Sequence, residues 1–481
     1  MAKVVFIQRV VYAYFGLMSI SAVLKKGGHT AELVMESDAA KAAAEALRLV
    51  PDVVGFSALA GTGEFEWALR AAQIIKKANP GIITVFGSMH PTIFPDETLA
   101  EPCVDALCRC EGEYAMLELC GHIDRRTDYS GTGGLWVRTP AGIRKNPVSP
   151  FISELDELPP FDRSMYEKYG YFDNVRAMDV LVGRGCPFEC NYCYNHIVKE
   201  IYPEKKGFAR KHSVAYVIAE LKAVKEKYRP RSFTFVDELF PTDKQWLAEF
   251  AAKYKAEIGL PFICNIRADT VDEESAALLA DAGVFRVCFG VETGNEALRR
   301  DLLNKPITNA RMLEAAELLH GRGIKFLTAN MLGLPGETVD KAFETVELNY
   351  RMKTDYLYYS VFQPYPKLKL SAEAGKMGLA PKLASKDYNS TYFASSLLVQ
   401  PGIRSLENLH KLFHPAVRLY GLKNLFKVLI KLPANFVFDL VFIASFGWMQ
   451  YRCFGRAPGQ LLAMGLGNLK VFYAKPQKAR E

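Results

Sequence analysis

The chain has 481 residues, 49% hydrophobic and 23% charged. That balance excludes a disordered or collagen-like chain, and the length predicts two or three domains. The formal net charge of +7 is unevenly placed: residues 401–481 hold 12 Lys/Arg against 3 Asp/Glu, and the first 400 hold 48 against 50. The basicity therefore belongs to the C-terminal segment and points to a local surface partner, not to a basic core. The opening MAKVVFIQRV lacks the long apolar run and cleavage site of a secretory signal, which places the protein in the cytosol. There, its ten cysteines are expected as ligands, catalytic groups or buried thiols rather than disulfides.

Residues 1–125 alternate apolar runs with helical patterns. Strands are predicted at 3–7, 30–35, 52–58, 82–88 and 104–110, with helices between them. This alternation predicts an α/β fold with a doubly wound, Rossmann-like parallel sheet, whose ligands bind at the carboxyl ends of the strands. No G-x-G-x-x-G follows the first strand and no G-x-x-x-x-G-K-[ST] occurs, so nucleotide fingerprints are absent. Residues 126–175 are rich in Gly, Pro and turn residues and predict a small ribbon and a linker.

Residues 176–365 repeat the alternation, with strands predicted at 177–183, 232–237, 262–268, 284–292, 325–332 and 356–362. Six strand–helix units predict a partial (β/α)6 barrel of the TIM type, with functional residues at the carboxyl ends of its strands. Residues 366–481 predict a mainly helical region. Its apolar run ANFVFDLVFIASFGWM is too short to span a bilayer. With the basic LHKLFHPAVRLYGLKNLFKVLIKL before it, the region reads as a peripheral membrane-interfacial helix pair or as a cap buried against the barrel. It lacks the Arg-rich, aromatic pattern of a nucleic-acid site, so no nucleic-acid partner is expected.

Directly after the first barrel strand, GCPFECNYCYN places Cys186, Cys190 and Cys193 at C-x3-C-x2-C spacing. Thiolates select zinc or iron–sulfur clusters. Zinc needs a fourth ligand, and His196 sits awkwardly close to Cys193. Three cysteines suit a four-iron cluster with one iron left open. Cys108 and Cys110, with Cys103 nearby, read as buried thiols or as a second cluster.

The motif resembles that of the radical SAM superfamily. The resemblance implies a [4Fe–4S] cluster on Cys186, Cys190 and Cys193, with S-adenosylmethionine chelating the open iron through its amino and carboxylate groups. Reductive cleavage then gives a 5′-deoxyadenosyl radical, with electrons from an external donor. It also places Tyr192 near the adenine. FTFVDELF, CNIRA, FGVETGNEALR and NMLGLPGET resemble the later strand motifs. They add Asp237, Glu238, Arg267, Gly290 and Glu292 as cofactor-binding candidates, with Gly333, Pro335 and Gly336 shaping a turn. PYPKLKL departs from the family's last turn.

Residues 1–125 resemble the cobalamin-binding domain that precedes the barrel in one large class of the superfamily. The Asp-x-His-x-x-Gly loop of the methionine synthase type is missing. Gly55, Ser57, Gly87, His90, Glu111 and Gly112 are the positions expected around the corrinoid. The resemblance implies a cobalamin-dependent radical SAM enzyme that methylates an unactivated carbon. The apolar, basic tail suggests a hydrophobic or lipid-like substrate. The alternatives are an oxidative cyclase, a cobalamin-free radical SAM enzyme and a non-enzymatic corrinoid carrier.

Overall fold

The computed structural model describes residues 1–9, 12–59, 63–381, 393 and 395–454. The chain divides into two compact units, Met1–Pro187 with Ile197–Arg231, and Phe188–His196 with Ser232–Glu481.

The first unit holds the strands β1 (Lys3–Gln8), β2 (Thr30–Met35), β3 (Val53–Ser57), β4 (Ile83–Gly87) and β5 (Ala106–Cys108). Their pairings are all parallel. The intervening helices include Phe15–Lys26, Ala39–Arg48 and Glu64–Ala78. The strands read as continuous apolar runs because such sheets are buried on both faces. The second of these helices starts where Asp38 accepts hydrogen bonds from Ala40 N and Lys41 N, each at 2.9 Å.

The ribbon expected in 126–175 is a hairpin of β6 (Leu135–Thr139) and β7 (Gly142–Lys145). It extends the main sheet: β6 runs antiparallel to β5, giving the order β2-β1-β3-β4-β5-β6-β7. All four residues of β7 are exposed. At the other edge, the Tyr169 hydroxyl donates to Leu33 O at 2.9 Å and accepts from Met35 N at 3.0 Å. Strand β8 (Ala177–Val180) leads to β9 (Gly183–Arg184), which pairs antiparallel with β10 (Arg210–Lys211).

The second unit carries five parallel strands, each paired with the next: β11 (Ser232–Phe235), β12 (Phe262–Asn265), β13 (Val284–Glu292), β14 (Lys325–Leu332) and β15 (Tyr356–Val361). The first of the six expected barrel strands, β8, is assigned to the other unit. Four of the following helices start at a side-chain cap, on Asp243, Asp272, Thr308 and Thr338. These caps satisfy amide donors that a helix leaves free and fix where each strand–helix loop ends.

In the C-terminal region, helices cover Ile403–Arg418, Lys423–Leu429 and Phe436–Phe454. Leu406, Leu409, Phe413 and Phe442 join Leu332, Phe343 and Tyr359 in one core cluster. The inward side of the region is thus a cap on β14 and β15. No helix among the described residues is long and apolar enough to cross a membrane.

Leu409 and Phe413 are both fully buried. Truncating either to Ala is expected to destabilise the second unit by about 2–5 kcal/mol in urea denaturation. An unchanged midpoint would mean that the helix is an appendage and not core.

Candidate functional site

In the second unit, the segment that follows Cys186 is held by hydrogen bonds to distant residues. Asn191 donates from its backbone N to Leu303 O at 3.0 Å and from Nδ2 to Leu302 O at 2.9 Å. Asn304 Nδ2 donates to Glu189 O at 2.8 Å, and Leu370 N donates to Asn191 O at 3.0 Å. The divergent PYPKLKL turn therefore still abuts the motif. Cys190 is buried, and Cys186 and Cys193 are half-buried. His196 is buried, with Nδ1 3.2 Å from Cys190 O, which occupies it with backbone. Among the described residues, no group of three His, Cys, Asp or Glu side chains is placed to hold a single metal ion.

Arg267, two residues past β12, stacks on the Phe188 ring at 3.5 Å and points Nη1 at Cys190 Sγ, 3.7 Å away. Asp269 holds the guanidinium in place through Nε at 3.0 Å and Nη2 at 2.9 Å. A planar cation beside a sulfur suits a thiolate ligand, whose negative charge it screens. Asp237 is 1% exposed while its neighbour Glu238 faces solvent. The acidic pair is thus split between core and surface.

The end of β13 carries a denser arrangement. Its pairing with β14 slips between Gly290 and Glu292, and Glu292 takes a left-handed φ of 66°. Such a bulge re-aims a side chain. Glu292 Oε1 accepts from the Tyr192 hydroxyl at 2.8 Å and from Lys305 Nζ at 3.0 Å. Lys305 Nζ also donates to Gly290 O at 2.7 Å and to the Tyr192 hydroxyl at 3.3 Å. Burial, and then the Glu292 charge, push the Tyr192 phenol well above its usual range. A Cβ at Gly290 would lie 1.8 Å from Glu292 Oε1, so the cluster exists only over glycine.

Sequence reasoning missed Lys305. The buried Arg299 places it, donating to Thr293 O, Ile307 O and Asn309 Oδ1 at 2.5, 2.7 and 2.6 Å. Glu337, also missed, closes the Gly333–Gly336 turn by accepting from Gly333 N at 2.7 Å. Those two glycines have φ of 75° and 71°.

In the first unit, a cavity of about 390 Å³ opens at the carboxyl ends of the parallel strands, within the usual range for small-molecule sites. Gly55, Ser57, Gly87, Glu111 and Gly112 all line it. A Cβ at Gly87 would meet no protein atom nearer than 3.9 Å, so this glycine keeps the floor open rather than relieving a clash.

Glu111 is already engaged: its Oε1 accepts from Arg210 at 2.8 Å and lies 3.4 Å from Arg184. Arg184 also binds Glu113 at 2.6 Å. Burial opposes ionisation of Glu113, but the Arg184 charge and hydrogen bond outweigh it and hold the carboxyl below its ordinary value.

His90 does not line the cavity. The turn at Ser88, with φ of 79°, starts the Met89–Ile93 helix, and His90 stacks on Phe65 at 3.9 Å. Burial pushes its pKa down to about 4, which keeps it neutral. Burial likewise pushes Cys108 up to about 12 and Cys110 up to about 11. Cys108 is buried and Cys110 half-buried.

Residues 180–348 match the model of the Radical SAM superfamily, and residues 10–120 match that of the B12 binding domain. A radical SAM domain and a B12-binding domain are thus matched within one chain. It is 28% identical over 324 residues to an uncharacterized methyltransferase of Pyrococcus horikoshii, covering 66% of this chain and 68% of that one. It is 28% identical over 371 residues to the anaerobic magnesium-protoporphyrin IX monomethyl ester cyclase of Rubrivivax gelatinosus, covering 74% and 65%. The match thus spans about two thirds of these relatives' own length.

The fold is shared with the radical S-adenosylmethionine methyltransferase TsrM of Kitasatospora setae, solved with cobalamin and a [4Fe-4S] cluster bound. The TM-score is 0.66 at 17% identity, covering 80% of each chain. The superfamily implies a [4Fe–4S] cluster, S-adenosylmethionine and an external electron donor, and the B12-binding domain implies cobalamin. The residues present fit these groups: three unbridged cysteines in one motif, one beside a cation, and a glycine-floored cavity.

Two outcomes follow from this geometry. Gly290→Ala is expected to separate Glu292 from Lys305 and lower stability by about 1–3 kcal/mol in chemical denaturation. Burial pushes the Glu337 carboxyl from 4.5 up to about 8. The folded state then holds a proton that the unfolded chain releases between those values, so this group's contribution falls as pH rises through the window. Glu337→Gln is expected to flatten the fall in melting temperature between about pH 5 and pH 8; an unchanged slope would show Glu337 ionised in the folded state.

Proposed function

We propose that this protein is a cobalamin-dependent radical SAM methyltransferase acting on an unactivated carbon of a hydrophobic or lipid-like substrate, reached by peripheral membrane contact of its C-terminal region. One observation carries the reading: a single chain joins the cysteine motif, with its Tyr192–Glu292–Lys305 cluster, to a glycine-floored cavity in a B12-binding domain. When bound, the cluster and S-adenosylmethionine supply a carbon radical and cobalamin supplies a transferable methyl group.

In this reading, Cys186, Cys190 and Cys193 hold the cluster, and Arg267 screens the Cys190 sulfur. Glu292 and Lys305 offer one negative and one positive group to the amino-acid end of S-adenosylmethionine. Gly290 gives backbone access, and Tyr192 packs beside it. Gly55, Ser57, Gly87 and Gly112 hold the corrinoid, with Glu111 bracing the cavity wall through Arg184 and Arg210. No histidine is among the described residues that line the cavity, so the cavity wall itself would offer cobalt no imidazole. Asp237, buried just past β11, and the exposed Glu238 beside it keep the cofactor-binding role that the resemblance implies. A second reading, an oxidative cyclisation, is favoured by the 74% of this chain that matches the porphyrin-ester cyclase.

Anaerobic reconstitution is expected to give about four irons per chain together with bound corrinoid. Replacing Cys186, Cys190 or Cys193 by Ala should abolish both the iron and S-adenosylmethionine cleavage. Iron without corrinoid would favour the cobalamin-free alternative. Labelled S-adenosylmethionine should leave its methyl in the product, whereas an unlabelled oxidised product would favour the cyclase. Lys305→Met is expected to weaken S-adenosylmethionine binding about tenfold in equilibrium titration, with iron content unchanged.

A further inference from the structure

We infer that the outward face of the last two described helices, Lys423–Leu429 and Phe436–Phe454, is a docking surface for an anionic phospholipid bilayer. The inference deepens the hydrophobic-substrate reading and rests on it for its purpose, but docking is measured without turnover. Half of the large hydrophobic residues exposed in the described chain fall between Leu419 and Tyr451, ten of twenty. Scattered surface leucines need no explanation, but a contiguous apolar patch does.

The pattern is ordered. In the longer helix, Phe438, Phe442, Met449 and Cys453 face the core. Val437, Leu440, Ala444, Trp448 and Tyr451 are exposed at three- and four-residue intervals, which is one stripe of a helix. In the segment before it, Leu422, Leu425, Val428 and Leu432 are exposed at the same kind of spacing. The helices therefore have two apolar sides, one buried in the protein and one bare.

Charge selects the occupant. From Leu419 to Phe454 the cations are Lys423, Lys427, Lys431 and Arg452, and the single acid is Asp439. Asp439 is matched by Lys411 at 2.6 Å. Lys427 is matched by Asp340 at 2.6 Å, which leaves three cations at the patch: Lys423 beside the Tyr420 hydroxyl, Lys431 among exposed leucines, and Arg452 over the Trp448 ring. A second copy of the chain docked by symmetry on this face would set lysines against lysines. Anionic headgroups are complementary to them, the apolar stripe suits the acyl boundary, and Trp448 and Tyr451 have the amphipathic rings enriched at that level. With no helix among the described residues able to cross, the face lies in the interface plane.

The test is flotation of the full-length protein with vesicles. Vesicles of phosphatidylcholine with about 30% phosphatidylglycerol should carry the protein, neutral phosphatidylcholine vesicles should not, and salt should weaken the binding. The triple variant Leu425→Glu/Val428→Glu/Leu440→Glu should float about tenfold less, with reconstituted iron and melting temperature retained. Absence of flotation, equal binding to neutral vesicles, or undiminished binding of a folded variant would overturn the proposal. So would a dimer of the unmodified protein that the variant converts to monomer, since a second copy would then cover the face. Loss of methylation with flotation intact would instead count against the proposed activity alone.

Discussion

The buried pair of Glu292 and Lys305 sets conditions on everything near it. Desolvating two opposite charges costs several kcal/mol per ion, and their attraction offsets this only if every remaining donor is satisfied. Lys305 has three donors and uses all three, on Glu292, Gly290 O and the Tyr192 hydroxyl. That requirement dictates a glycine at 290, a bulge at the end of β13, and a tyrosine directly before Cys193. It also dictates Arg299, whose buried guanidinium ties together the backbone on either side of Lys305. A closed circuit of this kind has a useful property. A ligand bearing both an ammonium and a carboxylate can exchange with each partner without leaving either charge bare.

A second ionic arrangement does comparable work in the first unit. Arg184 lies two residues before Cys186 in the chain, and it is held by Glu113 and Glu111 at the rim of the cavity. Arg210 shares Glu111 from the neighbouring strand. The start of the cysteine motif is thereby fastened to the segment that follows β5. Glu111 and Gly112 are adjacent in sequence but differ in their work, one bracing the wall and the other forming it.

The order of strands and helices was legible because parallel strands buried on both faces give unbroken apolar runs, with capped helices between them. Strand ends were less so. β5 stops at Cys108 and not at residue 110, because Cys110 takes a φ of 66° that ends the ladder, and nothing in VDALCRC announces it. The hairpin was visible as two strands, but its antiparallel attachment to β5 depends on tertiary pairing. The cysteine motif was fully legible, since its chemistry lies in spacing. Lys305 was not: it sits in a loop without periodicity, and its role appears only once the bulge aims Glu292 at it. His90 misled for a related reason. Its position after β4 is right for a cavity, but the Ser88 turn carries the ring back among phenylalanines. The C-terminal region read as either cap or interface because its helices carry apolar residues on two sides.

The two borders of the seven-stranded sheet are treated in opposite ways. At β2, the Tyr169 hydroxyl consumes a donor and an acceptor that a foreign strand would need. At β7, the described residues provide no such plug, and the strand is short, fully exposed and ends in Arg144 and Lys145. Open sheet borders are templates for unwanted pairing, and short cationic edges discourage it. A sheet guarded at both borders resists growing into filaments, which matters for a protein that also carries a bare apolar face elsewhere on its surface.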